Sequence, residues 1–167
     1  MTLNIRFATH ENISDILRIE HAIEKVYPAD RQTLLDRLEL FPDGFLIANN
    51  DHQLIGYIES CIVNEHPFST YNDIRQFSNI HDPNGMILFI IFVGVDARFQ
   101  NLGVGSLLIN TLKNRISQLY SHIQKIHLVS KEQYVDTFYR KNKFFTIKPL
   151  PDYMPSYSGV LMEYQFE

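Results

Sequence analysis

Residues 86 to 120 constrain this chain most. An almost unbroken apolar run, Met86-Ile87-Leu88-Phe89-Ile90-Ile91-Phe92-Val93-Gly94-Val95, meets a polar turn, Asp96-Ala97-Arg98-Phe99, and then Gln100-Asn101-Leu102-Gly103-Val104-Gly105-Ser106. The run is β-branched and aromatic and apolar on both faces, which predicts a central buried strand. Beyond the turn, Gly105, Leu108, Ile109, Leu112, Ile116 and Leu119 recur at helical spacing. A strand, a glycine turn and a helix start together suit a phosphate. The first helical N–H groups lack intrahelical partners, and the macrodipole adds roughly half a positive charge there. The turn lacks the Gly-Lys-Ser/Thr of a P-loop and the third glycine of the dinucleotide fingerprint. Taken alone, the two glycines favour a tight turn that packs a helix against a sheet.

The flanking pattern predicts further elements. Leu3, Ile5 and Phe7 alternate as a strand, and Thr9 or Asn12 caps a helix carrying Ile13, Ile16, Leu17, Ile23 and Val26, ended by Tyr27-Pro28. Asp30 starts a second helix with Leu34, Leu35, Leu38 and Phe41. Phe45–Ala48 and Gln53–Ile62 read as a hairpin around Asn49-Asn50-Asp51-His52. Val63 to Gly85 is irregular, with a short helix expected around Asn72 to Phe77. Lys125 to Val129 is a strand parallel to the central one, because a helix makes the crossover. Glu132 to Asn142 reads as a helix, Phe144 to Ile147 as a strand, Pro149 to Ser158 as a loop, and Val160 to Phe166 as the last strand.

The chain has 167 residues, which suits one domain spanning 1–167. A net charge of −4 disfavours nucleic acid as a partner. No apolar run reaches membrane-spanning length, so no membrane partner is expected. The single cysteine, Cys61, fits a reducing cytoplasm. His52 and His66 stand alone, without a metal-ligand cluster around them, so no metal is expected. Strands at the C-terminal edge could pair between copies as a homodimer.

Val95, Gln100-x-x-Gly103-x-Gly105 and Leu107-Leu108 resemble the acyl-CoA signature of the GNAT N-acetyltransferase family. Phe138-Tyr139-Arg140-Lys141-Asn142-Lys143-Phe144 is similar to a second element of that family. The likeness runs from about Leu3 to Gln165. It implies an α/β architecture: the GNAT acyl-CoA N-acyltransferase fold, a six- to seven-stranded mixed sheet with helices on both faces. Two neighbouring parallel strands would splay there to admit pantetheine. It also implies acetyl-CoA as co-substrate. Asn101, Leu102, Val104 and Ser106 would complete the diphosphate turn around Gln100, Gly103 and Gly105, with Val93, Gly94 and Val95 presenting backbone groups to pantetheine. Ser130 and Lys141 are further cofactor candidates. Lys143 stands where the family has glycine, and Glu132 where many members have a CoA-contacting Asn.

Acyl transfer to an amine requires a neutral amine and a proton for the leaving thiolate. The Tyr139 phenol is the candidate donor; a ring in the core is its alternative. Val26-Tyr27-Pro28-Ala29-Asp30 and His81-Asp82-Pro83-Asn84-Gly85 resemble the arylalkylamine and polyamine branch, but that branch's two strand histidines fall on Phe89 and Ile91. Glu59 and His81 are then the candidate bases, with ordered water as a third route. Glu24, Asp30 and Tyr27, among the acids of residues 1 to 43, would attract a cationic acceptor. The expectation is acetyl transfer to a small-molecule primary amine, polyamine-like or arylalkylamine-like. Acetylation of a protein or peptide amine, and a non-catalytic acetyl-CoA-binding regulatory module, stay open beside it.

Overall fold

A computed structural model of the chain describes residues 1–51, 53–65, 71 and 80–167. His52 and the helix expected around Asn72 to Phe77 lie outside the described residues. One seven-stranded mixed sheet runs in the order β1-β2-β3-β4-β5-β7-β6. Its strands are β1 (Leu3–Phe7), β2 (Phe45–Asn50), β3 (Gln53–Val63), β4 (Ile87–Val95), β5 (Lys125–Lys131), β6 (Phe145–Met154) and β7 (Tyr157–Gln165). Among the described residues the α-helices are α1 (Ile13–Ile23), α2 (Arg31–Leu40), α3 (Val104–Leu119) and a single turn, α4 (Glu132–Tyr134). The contacts divide into two compact units, Met1–Ser60 with Phe92–Ile116, and Cys61–Ile91 with Ser117–Glu167.

In the first unit β1, β2 and β3 form an antiparallel meander. One sheet face is covered by α1 and α2. Ile13, Ile16, Ile19, Leu34 and Leu38 bury there with Phe45, Ile47 and Tyr57, because the helix period and the strand alternation aim these apolar groups at one another. The opposite face takes α3. A side chain at Gly56 would meet the Gly94 carbonyl, Val104 and Leu108. Helix α1 is shorter than its apolar stripe suggests. It ends at Ile23 because Glu24 turns extended, and the Glu24 carboxylate accepts the amides of Val26 (2.8 Å) and Tyr27 (3.2 Å). Val26 is consequently exposed. Asp30 caps α2 by accepting from the Thr33 amide at 2.8 Å.

In the second unit β5 lies parallel to β4 for three residue pairs only, Ile87↔Lys125, Leu88↔Ile126 and Phe89↔His127. On its other side β5 pairs along its whole length with β7. β5 therefore runs on to Lys131 while its pairing with β4 stops at His127, and the two strands part there. Two expectations are corrected. The stretch 149–158 is mostly strand rather than loop: β6 and β7 form a long hairpin with register shifts after Thr146 and after Leu150. β6 is the sheet's last strand, where Pro149 and Pro151 need not donate to a further neighbour. The helix expected over 132–142 regularises only at α4. A π turn (Val135–Tyr139) and a 3-10 turn (Arg140–Asn142) follow.

Candidate active site

The glycine turn of the first unit is braced from below. The Asp96 amide donates to the Ile55 carbonyl at 2.8 Å. The Asp96 carboxylate accepts from the Arg98 backbone and guanidinium and from Arg18 on α1 at 2.8 Å. These bonds, led by those from Arg98, outweigh burial and hold the Asp96 carboxyl well below the usual carboxylate range. Gln100 folds back to donate from Nε2 to the Val95 carbonyl at 3.1 Å. The side-chain amide of Gln100, one of the expected cofactor-binding residues, locks the turn. Asn101 (φ 60°) and Gly103 (φ 83°) are left-handed. A Cβ at Gly103 would meet nothing within 4 Å, so the space above it is open.

The first donor inside α3 is the Leu107 amide, to the Gly103 carbonyl at 3.0 Å. The amides of Val104 and Gly105 therefore belong to the open helix start, where an anion is favoured. Exposed Asn101 and Leu102 and half-buried Gly105 and Ser106 surround it. This geometry fits a diphosphate. Beside the turn, a pocket of about 450 Å³ lies between Arg18, Ile19 and Ile23 of α1 and Arg98 and Gln100. On β4, Val93 and Val95 are half-buried and Gly94 is buried, with the Tyr57 and Phe92 rings each 2.9 Å from where its Cβ would be.

Beneath α1 and α2 lies a buried charged cluster. Glu59, expected either buried or outward-facing, is buried at 1% exposure and accepts from Arg37 Nη1 at 2.6 Å; its Oε2 has no hydrogen bond. Burial raises the Glu59 carboxyl, with Arg37 acting against it. Glu20, which the sequence reading counted only among the acids, is fully buried. It accepts from the Ala29 amide at 2.9 Å and from the Tyr57 hydroxyl. Burial, followed by repulsion from Glu59, pushes Glu20 up to about 8. The signal was present: position 20 continues the apolar stripe 13, 16, 17. Glu24 and Asp30 have their carboxylates engaged with backbone amides, as described above, and Tyr27 is half-buried beside them in sequence.

In the second unit Tyr139 is half-buried between the rings of Phe138 and Phe144, with centroids 4.9 and 6.0 Å away. Burial raises its phenol, so it stays protonated, and its hydroxyl makes no hydrogen bond among the described residues. The turn that presents it closes through Lys143 at φ 66°, ψ 22°, so the left-handed turn that the loss of the family's glycine put in doubt is kept. Ser130 is buried and donates to the Lys131 carbonyl at 2.7 Å, while Lys141 is exposed. His81 is no simple turn-forming partner of Asp82: its Nδ1 accepts the Ile62 amide at 3.1 Å, and burial lowers its pKa. The sequence reading missed a buried pair, His127 on β5 and Glu163 on β7, with Nε2 and Oε2 2.7 Å apart. Among the described residues, no group of three or more His, Cys, Asp or Glu side chains could hold a metal ion.

A parallel strand pair that parts after three rungs, with a glycine turn opening the helix after the central strand, defines an acyl-CoA-dependent acyltransferase architecture. The chain belongs to the acetyltransferase (GNAT) family, whose model matches residues 11–144. Among curated relatives it is 24% identical over 156 residues to the uncharacterized N-acetyltransferase YkwB of Bacillus subtilis, covering 80% of this chain and 69% of that one. Its fold matches the loading GNATL domain of CurA from Lyngbya majuscula with a TM-score of 0.86 at 19% identity, covering 99% of this chain and 98% of that one. It also matches the GphF GNAT-like decarboxylase in complex with isobutyryl-CoA, with a TM-score of 0.81 at 18% identity, covering 97% and 98%. The family supports acetyltransferase activity, and no helix among the described residues is long and apolar enough to cross a membrane.

Proposed function

We propose that this single domain moves an acetyl group from acetyl-CoA to the primary amine of a small molecule, polyamine-like or arylalkylamine-like. The open space above left-handed Gly103, at the start of α3, carries the acyl-CoA half of the reading. The residues from Gln100 to Ser106 would hold the diphosphate, and the backbone of Val93, Gly94 and Val95 would pair with the pantetheine amides as an added strand does. Ser130 and Lys141 are assigned lesser cofactor contacts. When bound, acetyl-CoA supplies an activated acyl carbon and a thiolate leaving group. Tyr139 is the proton donor to that thiolate, since its phenol is held protonated and its hydroxyl is uncommitted.

The acceptor half rests on charge. With Glu20 protonated at neutral pH, Glu59 is held by Arg37 at 2.6 Å and the Glu24 carboxylate by the Val26 and Tyr27 amides. Together with Asp30 and Tyr27 they favour a cationic acceptor over an anionic one. Glu59, clamped on Arg37, acts here through its field, and His81 is given a neighbouring structural part because its ring nitrogen holds the Ile62 amide. The deciding assay is thiol release from acetyl-CoA with polyamines, arylalkylamines and short peptides, with products identified by mass. Acetylated small amines are expected. Turnover with peptides alone would replace the small-amine reading. Acetyl-CoA binding without turnover on any amine would make the chain a regulatory module. Loss of carbon dioxide from a carboxylated acyl-CoA would make it a decarboxylase. Tyr139→Phe should slow turnover at least about 10-fold with little change in acetyl-CoA affinity; an unchanged kcat would remove Tyr139 from the chemistry.

A further inference from the structure

The pocket between α1 and the turn after β4 lies wholly in the first unit. Ile19, Ala22 and Ile23 of α1 give it an apolar wall, and Arg18, Asp96 and Arg98 a charged one, around about 450 Å³. That volume suits a small ligand. No residue from Gly103 to Ser106 lines it, so it stands apart from the open helix start that suits the diphosphate. Gln100 does reach it, but its Nε2 is spent on the Val95 carbonyl. Ile19 ties the pocket to the central strand: its Cγ2 would lie 3.3 Å from a Cβ built at Gly94. The pocket therefore abuts the backbone that the acyl-transfer reading gives to pantetheine.

Asp96 is not left to serve a ligand. Its Oδ1 accepts from the Arg98 amide at 3.1 Å and from Arg98 Nε at 3.0 Å, and its Oδ2 accepts from Arg98 Nη2 and Arg18 Nη1, both at 2.8 Å. These bonds hold both guanidiniums in place, and Arg18 Nη2 also donates to the Leu54 carbonyl at 3.2 Å. A guanidinium carries five N–H groups. Arg98 Nη1 has no hydrogen-bond partner among the described residues, and the Arg98 side chain is 62% exposed. Two cations thus share one carboxylate in the pocket wall. Asp15, 3.8 Å from Arg18 Nε, is exposed and does not line the pocket. A ligand ammonium would be repelled here, whereas an oxyanion would meet a positioned donor.

We propose that this pocket holds the tail of the acceptor amine, an apolar body ending in a carboxylate, and that Arg98 selects that carboxylate. The proposal rests on the acetyl-transfer reading above and narrows its acceptor to an arylalkylamine-like molecule. A polyamine would bring a further ammonium against Arg18 and Arg98. The amine end keeps its positive charge, so the acids of the first unit and this pocket act on opposite ends of one zwitterion. The apolar body lies along Ile19, Ala22 and Ile23, where leaving water favours binding. Arg98 touches no reacting atom; it sets specificity. A phosphate of acetyl-CoA offers the same oxyanion chemistry, and the test separates the two sources.

The probes are phenylalanine, phenethylamine, spermidine and 3-phenylpropanoate. The wild type should acetylate phenylalanine with a kcat/KM at least about 10-fold above those for phenethylamine and spermidine, the scale of one charge-assisted hydrogen bond. In Arg98→Gln the phenylalanine-to-phenethylamine ratio should fall about 10-fold, while KM for acetyl-CoA changes less than about 3-fold. Arg98→Lys should keep part of the preference, since the charge stays and the planar fork is lost. Ala22→Leu, at an exposed helix position, fills the pocket and should lower kcat/KM for both arylalkylamines; it decides if Arg98→Gln does not fold. By calorimetry 3-phenylpropanoate, which has no amine, should bind the wild type and bind about 10-fold more weakly to Arg98→Gln. Equal kcat/KM for the two arylalkylamines in the wild type, a preference that survives both variants, or no binding of 3-phenylpropanoate overturns the proposal. So does a rise of about 10-fold in KM for acetyl-CoA in Arg98→Gln with the amine preference intact, which gives the site to a cofactor phosphate. A wild type that acetylates no amine, yet binds 3-phenylpropanoate in a way both variants weaken, removes the transfer reading and upholds the pocket's ligand chemistry.

Discussion

Glu20→Gln should change how stability depends on pH, and the sign follows from the burial of Glu20. The folded-state pKa of about 8 lies above the ordinary value of 4.5, because burial and then Glu59 disfavour the charged form. The folded state therefore binds the Glu20 proton more tightly than the unfolded chain does. The associated stability is fully present below the unfolded pKa and is lost as pH rises through the folded one. One full proton of difference gives a slope of roughly 1 kcal/mol per pH unit, so from about pH 6.5 to 8 the wild type should lose about 2 kcal/mol. Glutamine is nearly isosteric, can still accept the Ala29 amide, and cannot ionise. Urea midpoints measured at half-unit pH steps for wild type and variant give the comparison, since m should not change. The variant should fall behind at acid pH and overtake at alkaline pH. Any slope it retains in the same direction belongs to Glu59, whose carboxyl is raised too. Parallel curves for the two proteins would refute the burial argument.

Gly103→Ala places a Cβ at φ 83°, where an L residue is strained, so it should cost about 1 kcal/mol of stability and weaken acetyl-CoA binding about 10-fold by calorimetry. Lys143→Gly should raise stability by about 1 kcal/mol in thermal denaturation, because φ 66° is a glycine conformation. Arg37→Met strands the Glu59 carboxylate in the core and should cost about 3 to 5 kcal/mol at neutral pH, easing in acid as Glu59 protonates; an acid-independent loss would point to packing instead.

The central strand, the glycine turn and α3 can be read from the sequence because each is stated locally. The apolar run exceeds any loop, and the stripe from Leu108 to Ile116 repeats with one period. The β6–β7 hairpin cannot be read this way. Pro149 and Pro151 carry a loop signature, and only a place at the sheet's edge, which is a tertiary fact, admits them to a strand. The break-up of the helix after Tyr134 is equally hidden, since apolar spacing does not separate a π turn from an α turn. Lys143 is a middle case. A lysine in place of the family's glycine put the left-handed turn in doubt, and the structure keeps that turn with the lysine in it. Glu20 could have been found as a charge inside an apolar stripe. His127 and Glu163 could not, because they stand 36 residues apart and meet only through the β5–β7 register.

The two buried titratable sets oppose one another, and that fixes the shape of the stability curve. His127 and His81 are both lowered, burial being the first cause in each. For them the unfolded state holds the proton more tightly, so their stability is present above the unfolded pKa and is lost as pH falls through the folded one. Glu20 runs the other way over an overlapping range. Below the ordinary histidine pKa of about 6.5 the two sets act in opposite directions. Above it the histidines are neutral in both states, and Glu20, with Glu59 acting in the same direction, pulls stability down as pH rises. Removing Glu20 should therefore leave a curve that rises more, or falls less, with pH than the wild type's below about 6.5. Adding His127→Gln should remove the part of that rise due to His127 and leave the part due to His81. A double variant, Glu20→Gln with His127→Gln, whose curve below about 6.5 matches that of Glu20→Gln alone would mean that His127 keeps an ordinary pKa in the fold.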